Sequence, residues 1–116
     1  MTDANGQITF TTIFPACYSG RWPHIHIEVF KSLAAATNGT ASVLTTQLAM
    51  PYAIASGVYS GSTYYSGSTS NLSSISISSD NVFGDESSAQ IAQMTPAIAG
   101  TASAGYNATN TIGIAV

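Results

Sequence analysis

From His24 to Phe30 the chain reads His-Ile-His-Ile-Glu-Val-Phe. Period-two alternation of this kind is the pattern of a strand with one face in a core. Ile25, Ile27 and Val29 take the core face; His24, His26, Glu28 and Phe30 take the other. Both imidazoles therefore leave the strand on the same side, the way a strand offers two ligands to one metal.

The rest of the chain is read around that strand. Gln7 to Phe14 also alternates, with Ile8, Phe10, Thr12 and Phe14 on one face, and Pro15 ends it. Asp3-Ala4-Asn5-Gly6 has the residues of a hairpin turn, yet almost nothing precedes it. This predicts that the chain is the C-terminal piece of a larger domain. Lys31 to Leu44 reads as a loop with a helical turn at Ser32 to Ala36. Leu44 to Leu48 reads as a short strand and Met50 to Val58 as a short helix or loop. Ile75 and Ile77 alternate with serines, which predicts strand within the Ser- and Gly-rich stretch from Ser56 to Ser79. Ala89 to Ile98 and Tyr106 to Val116 are two further strand candidates. Many short strands with Gly- and Ser-rich turns predict an all-β domain over residues 1–116, an antiparallel β-sandwich incomplete at its N-terminus.

Charged residues make up 6% of the 116 and the net charge is −3, with only Arg21 and Lys31 basic. Phosphate neutralisation is out of reach, which argues against nucleic acid and against an anionic membrane surface. No apolar run approaches the roughly 20 residues of a membrane span. Met1 is followed at once by polar residues, and no signal peptide is expected at this start. Sequons at Asn38, Asn71 and Asn107 fit a secreted parent protein, although chance supplies such motifs readily in a chain this rich in Ser and Thr.

The chemistry is concentrated in one place. Gly20-Arg21-Trp22-Pro23-His24-Ile25-His26 holds both histidines, the sole arginine and the sole tryptophan, with Tyr18 just upstream. Cys17 is alone, which excludes an intrachain disulfide and a cysteine zinc cluster. It reads as a buried free thiol, with a thiolate nucleophile beside His24 as the sharper alternative. Trp22 reads equally as pocket wall or core filler, and Glu28 as a solvated strand residue. Imidazoles alone suit zinc, copper, nickel or iron. A phenolate from Tyr18 is a hard anionic donor that favours Fe(III), because a metal must displace a proton whose ordinary pKa is about 10. His-x-His alone leaves three readings open: a functional metal site, a satisfied polar pair, and an opportunistic zinc or copper site with Glu28. A cupin would place its glutamate further along.

Asp3 to Pro15, followed by Cys17-Tyr18-Ser19-Gly20-Arg21-Trp22-Pro23-His24-Ile25-His26, resembles the iron-binding core of the intradiol ring-cleavage dioxygenases. More closely, it resembles the dioxygenase-like proteins of fungi and bacteria related to the catechol and protocatechuate enzymes. Leu44 to Leu48 and Ser79-Asp80-Asn81-Val82-Phe83 are similar to that subgroup as well. The resemblance implies a Fe(III) site in which Tyr18, His24 and His26 are ligands. It implies that Arg21 stabilises the activated catecholate and that Gln47 is an active-site glutamine. It implies a catechol-type aromatic diol and O2 as substrates, ring cleavage to a muconate-type diacid, and an extracellular parent protein; a homodimer is compatible with it. The family's other tyrosine ligand would lie upstream of position 1. Tyr52, Tyr59, Tyr64, Tyr65 and Tyr106 sit in no matching motif and read as strand or surface tyrosines. Low turnover, or none, is therefore expected of these 116 residues alone. The competing expectation is a non-catalytic secreted domain with a vestigial metal site.

Overall fold

A computed structural model describes residues 1–115. Strand β1 (His24–Val29) pairs antiparallel with β2 (Leu44–Ala49). Helices α1 (Tyr52–Gly61), α2 (Ser68–Ser73) and α3 (Ser88–Gln93) follow, and β3 (Ala97–Thr101) pairs antiparallel with β4 (Gly105–Thr109). Short 3-10 turns at Ala35–Thr37, Gly39–Ala41, Thr63–Tyr65, Ile77–Ser79 and Phe83–Asp85 fill the connections.

The expected all-β antiparallel sandwich is overturned: the fold is mixed α/β, with two separate two-stranded sheets rather than two packed ones. Two of the departures trace to serines. Serine hydroxyls bond readily to nearby backbone N–H groups and so start helical turns. Ser76 and Ser79 form a reciprocal capping box over the Ile77–Ser79 turn, so Ile75 and Ile77 alternate with serine without forming a strand. Ser87 and Gln90 form a second box that starts α3 inside the segment expected as strand. Pro51 precedes α1, and Ala55, Val58 and Tyr59 fall at helical spacing on its buried side.

Gln7 to Phe14 is irregular rather than strand, with Ile8, Phe10 and Ile13 exposed. Alternation alone makes no strand; a ladder needs a partner, and among the described residues none lies alongside. Only the end of this segment is anchored. Tyr59 Oη donates to the Pro15 carbonyl at 2.7 Å and Tyr65 Oη to the Phe14 carbonyl at 2.9 Å. The Phe14 ring meets Tyr59 edge-on with centroids 5.9 Å apart.

The core joins all these pieces. Cys17, Trp22, Ala49, Ala55, Val58, Tyr59, Leu72 and Phe83 form one buried cluster. Full burial of a side chain such as Phe83 contributes about 2 kcal/mol. Trp22 enters the cluster and donates Nε1–H to the Met50 carbonyl at 2.9 Å, so it is core rather than pocket wall. On β1 the aliphatic Ile25, Ile27 and Val29 are half-buried, while His26 and Glu28 are exposed.

Candidate functional site

Tyr18 and Arg21 are the first and last residues of a tight turn closed by Arg21 N–H to the Tyr18 carbonyl at 3.4 Å. Gly20 takes the third position with φ +85°, a conformation that costs other residues strain. The turn sends Tyr18 outward, 56% exposed, and Arg21 inward.

Arg21 meets Asp80 there. Its Nε donates to Asp80 Oδ2 at 2.9 Å and Nη2 approaches Oδ1 at 3.4 Å. The two side chains are 16% and 0% exposed, so water screens this pair little. The carboxylate is further satisfied by three backbone N–H groups: Trp22 to Oδ2 at 2.7 Å, and Val82 and Phe83 to Oδ1 at 2.8 and 3.0 Å. Burial opposes ionisation of Asp80. The Arg21 hydrogen bond and those three N–H groups outweigh it and hold the carboxyl at about 2. Asp80 in turn raises the pKa of Arg21, and the neighbouring Tyr18 adds to this. Arg21 Nη2 also donates to Gln47 Oε1 at 2.6 Å. Gln47 lies directly opposite His26 in the β1–β2 ladder, and directly paired residues share a face.

His24 begins the strand. Its Nδ1 lies 2.6 Å from the Trp22 carbonyl oxygen. A carbonyl can only accept, so Nδ1 carries the proton and Nε2 of the neutral ring keeps its lone pair. The His24 ring is flanked by Phe83 at 6.3 Å and by Tyr18 at 6.0 Å between centroids, both edge-on.

The five residues singled out by sequence thus form one linked surface. Tyr18 contacts His24, Arg21 bonds Gln47, and Gln47 faces His26. The surface is open, with Tyr18 and His26 both exposed. A groove of about 530 Å³ runs along β2 from Leu44 to Leu48, Gln47 included, and is walled opposite by Val82, Gln90 and Met94. Among the described residues no three His, Cys, Asp or Glu side chains come together as a metal-holding group, so His24, His26 and Glu28 do not form one. Glu28 instead accepts weakly from Thr45 Oγ1 at 3.5 Å on the exposed face. Cys17 is buried, and burial pushes its thiol pKa up, away from the thiolate. It is packing rather than a nucleophile.

Asp80 joins the candidate site, although sequence reasoning placed it only within the stretch Ser79 to Phe83 and assigned it no role. Its signal was slight: one acid in a serine-rich stretch, followed by Asn81-Val82, the context of a turn in which an aspartate bonds its own backbone two and three residues on. No family model, curated protein or solved structure matches this chain.

Proposed function

We propose that this chain carries the iron-binding core of an intradiol ring-cleavage dioxygenase-like protein, with Fe(III) as cofactor and a catechol-type aromatic diol and O2 as substrates. The observation that carries it is the junction of Tyr18, His24 and Arg21: a phenol against an imidazole whose Nε2 lone pair is free, beside a guanidinium fixed by a buried carboxylate. The donor set fits a hard trivalent ion, since one phenolate and two neutral imidazoles combine an anionic oxygen with two nitrogens. Tyr18, His24 and His26 would hold the ion. When bound, ferric iron supplies Lewis-acid activation of the chelated diol toward O2.

The chain's own residues do the remaining work. Arg21 bears a charge that is already oriented, so it would stabilise anionic oxygen on the bound diol without reorganising. Gln47 fixes one edge of that guanidinium. The Trp22 carbonyl keeps the His24 proton on Nδ1 and so leaves Nε2 as the nitrogen with the lone pair. Three protein donors leave other coordination positions to be filled from elsewhere, and low turnover by these residues alone is expected.

The test is a ferric titration followed in the visible. Wild-type protein should develop a tyrosinate-to-iron charge-transfer band that Tyr18→Phe lacks; a wild type without the band would remove Tyr18 from the ligand set. O2 uptake with catechol or protocatechuate then reads activity. The exposure of Tyr18 and His26 favours a second reading, a non-catalytic secreted module that has kept an unused metal surface. Stoichiometric ferric iron in natively purified protein would count against it.

A further inference from the structure

We infer that Asp80 is the positioning residue of this surface: one buried carboxylate orients the Arg21 guanidinium and, through the backbone of Trp22, fixes the ring of His24. The inference deepens the ferric reading and rests on it for its purpose, although the geometry stands without iron. The two carboxylate oxygens divide their work. Oδ1 accepts from the N–H groups of Val82 and Phe83, closing Asp80's own turn, and has only a longer, 3.4 Å approach from Arg21 Nη2. Oδ2 reaches across 58 and 59 residues of sequence to the Trp22 N–H and to Arg21 Nε. The Trp22 unit is thereby held from both ends. Its N–H points at Asp80, and its carbonyl accepts the His24 Nδ1 proton. One anchor thus sets a cation, an imidazole tautomer and the entry into β1. With Nε and Nη2 engaged, the remaining Arg21 donors can turn to an anionic ligand.

This division makes Asp80→Asn a selective probe. The asparagine oxygen can keep accepting from Val82 and Phe83. Its NH2 would then face the Trp22 and Arg21 N–H groups, donor against donor. Nitrogen NMR of the metal-free full chain at alkaline pH reads the His24 tautomer, and the Arg21 Nε–H signal reads the ion pair. Wild type should show His24 protonated on Nδ1. Asp80→Asn should show a mixture of tautomers and a fast-exchanging Arg21 Nε–H, with near-native circular dichroism. Arg21→Ala should leave the His24 tautomer unchanged, because the Asp80 to Trp22 bond survives. Ferric affinity should fall about tenfold in Asp80→Asn, the usual size of an effect transmitted through a ligand's hydrogen-bond partner.

A folded Asp80→Asn chain with wild-type His24 and Arg21 signals would overturn the inference. Should that variant not fold, hydrogen exchange in the wild type decides. Protected Trp22 N–H and Arg21 Nε–H support the inference, and unprotected rates overturn it. A wild type that shows these signals yet takes up no ferric iron would sink the ferric reading alone.

Discussion

The imidazole of His24 hydrogen-bonds the carbonyl of Trp22, two residues back, at 2.6 Å. Among the described residues nothing comparable ties down His26, which is exposed on the same strand face. The two histidines of the His-x-His pair are therefore unequal: one is built into the fold and the other is held only by its strand.

That inequality sets a first prediction. His24→Ala removes the partner of the Trp22 carbonyl and empties the space between Tyr18 and Phe83, and should cost about 1–2 kcal/mol of stability. His26→Ala should stay within about 0.5 kcal/mol of wild type. Urea denaturation of both variants checks this. Equal losses would mean that the His24 contact is not formed in solution.

Acid should act through Asp80. Its carboxyl ordinarily titrates near 3.8 and is held at about 2 in the folded chain. The unfolded chain therefore takes up this proton first as pH falls. The stabilisation, about 2 kcal/mol for a shift of this size, is complete above about pH 4 and is lost on the way down to about pH 2. Comparing denaturation of wild type and Asp80→Asn across that window isolates the contribution. A constant difference between the two would show that Asp80 titrates normally.

The strand β1 was legible in the sequence because period-two alternation encodes a face directly: Ile25, Ile27 and Val29 are half-buried, and His26 and Glu28 exposed. Which face meets the core was not legible, because the aliphatic residues lie outside the core cluster while His24, on the other face, packs against buried Phe83. The β2 segment near Leu44 to Leu48 was legible as well. Gln7 to Phe14 carries the same alternation and is no strand, because pairing is a property of two segments and sequence shows one. The helical content was hidden for a different reason. Serine favours turns and helix starts alike, and which one forms depends on whether its hydroxyl finds the N–H three residues on, as Ser76 and Ser87 do. The convergence of Tyr18, Arg21 and His24 follows from their closeness in the chain. Asp80 lies 59 residues from Arg21, and no local pattern reports a partner that far away.

Burial divides the three sequons. Asn38 and Asn107 are exposed. Asn71 sits on α2 next to buried Leu72, and its Nδ2 donates to the Cys17 carbonyl at 2.9 Å. A glycan on that nitrogen would have to pull α2 from the core. Expression through a glycosylating secretory route, followed by peptide mapping, should find sugar at Asn38 and Asn107 and none at Asn71 in folded protein. Full occupancy of Asn71 would mean that α2 is not docked against Cys17.

Two glycines should respond to alanine with opposite signs. Gly57 lies inside α1, where an added Cβ meets nothing within 4 Å, so Gly57→Ala should gain up to about 1 kcal/mol from reduced freedom of the unfolded chain. Gly20 is equally open in space, yet its φ is +85°. Gly20→Ala should cost about 1 kcal/mol, the strain of a left-handed alanine. The loss falls on the turn that sends Tyr18 outward and Arg21 inward, so any relaxation there also moves Tyr18 relative to His24. Thermal unfolding gives the two signs, and a ferric titration of Gly20→Ala gives the consequence for the site: a weakened tyrosinate band at unchanged secondary structure. If Gly20→Ala were as stable as Gly57→Ala, the Tyr18–Arg21 turn would not have the left-handed geometry on which the placement of both side chains depends.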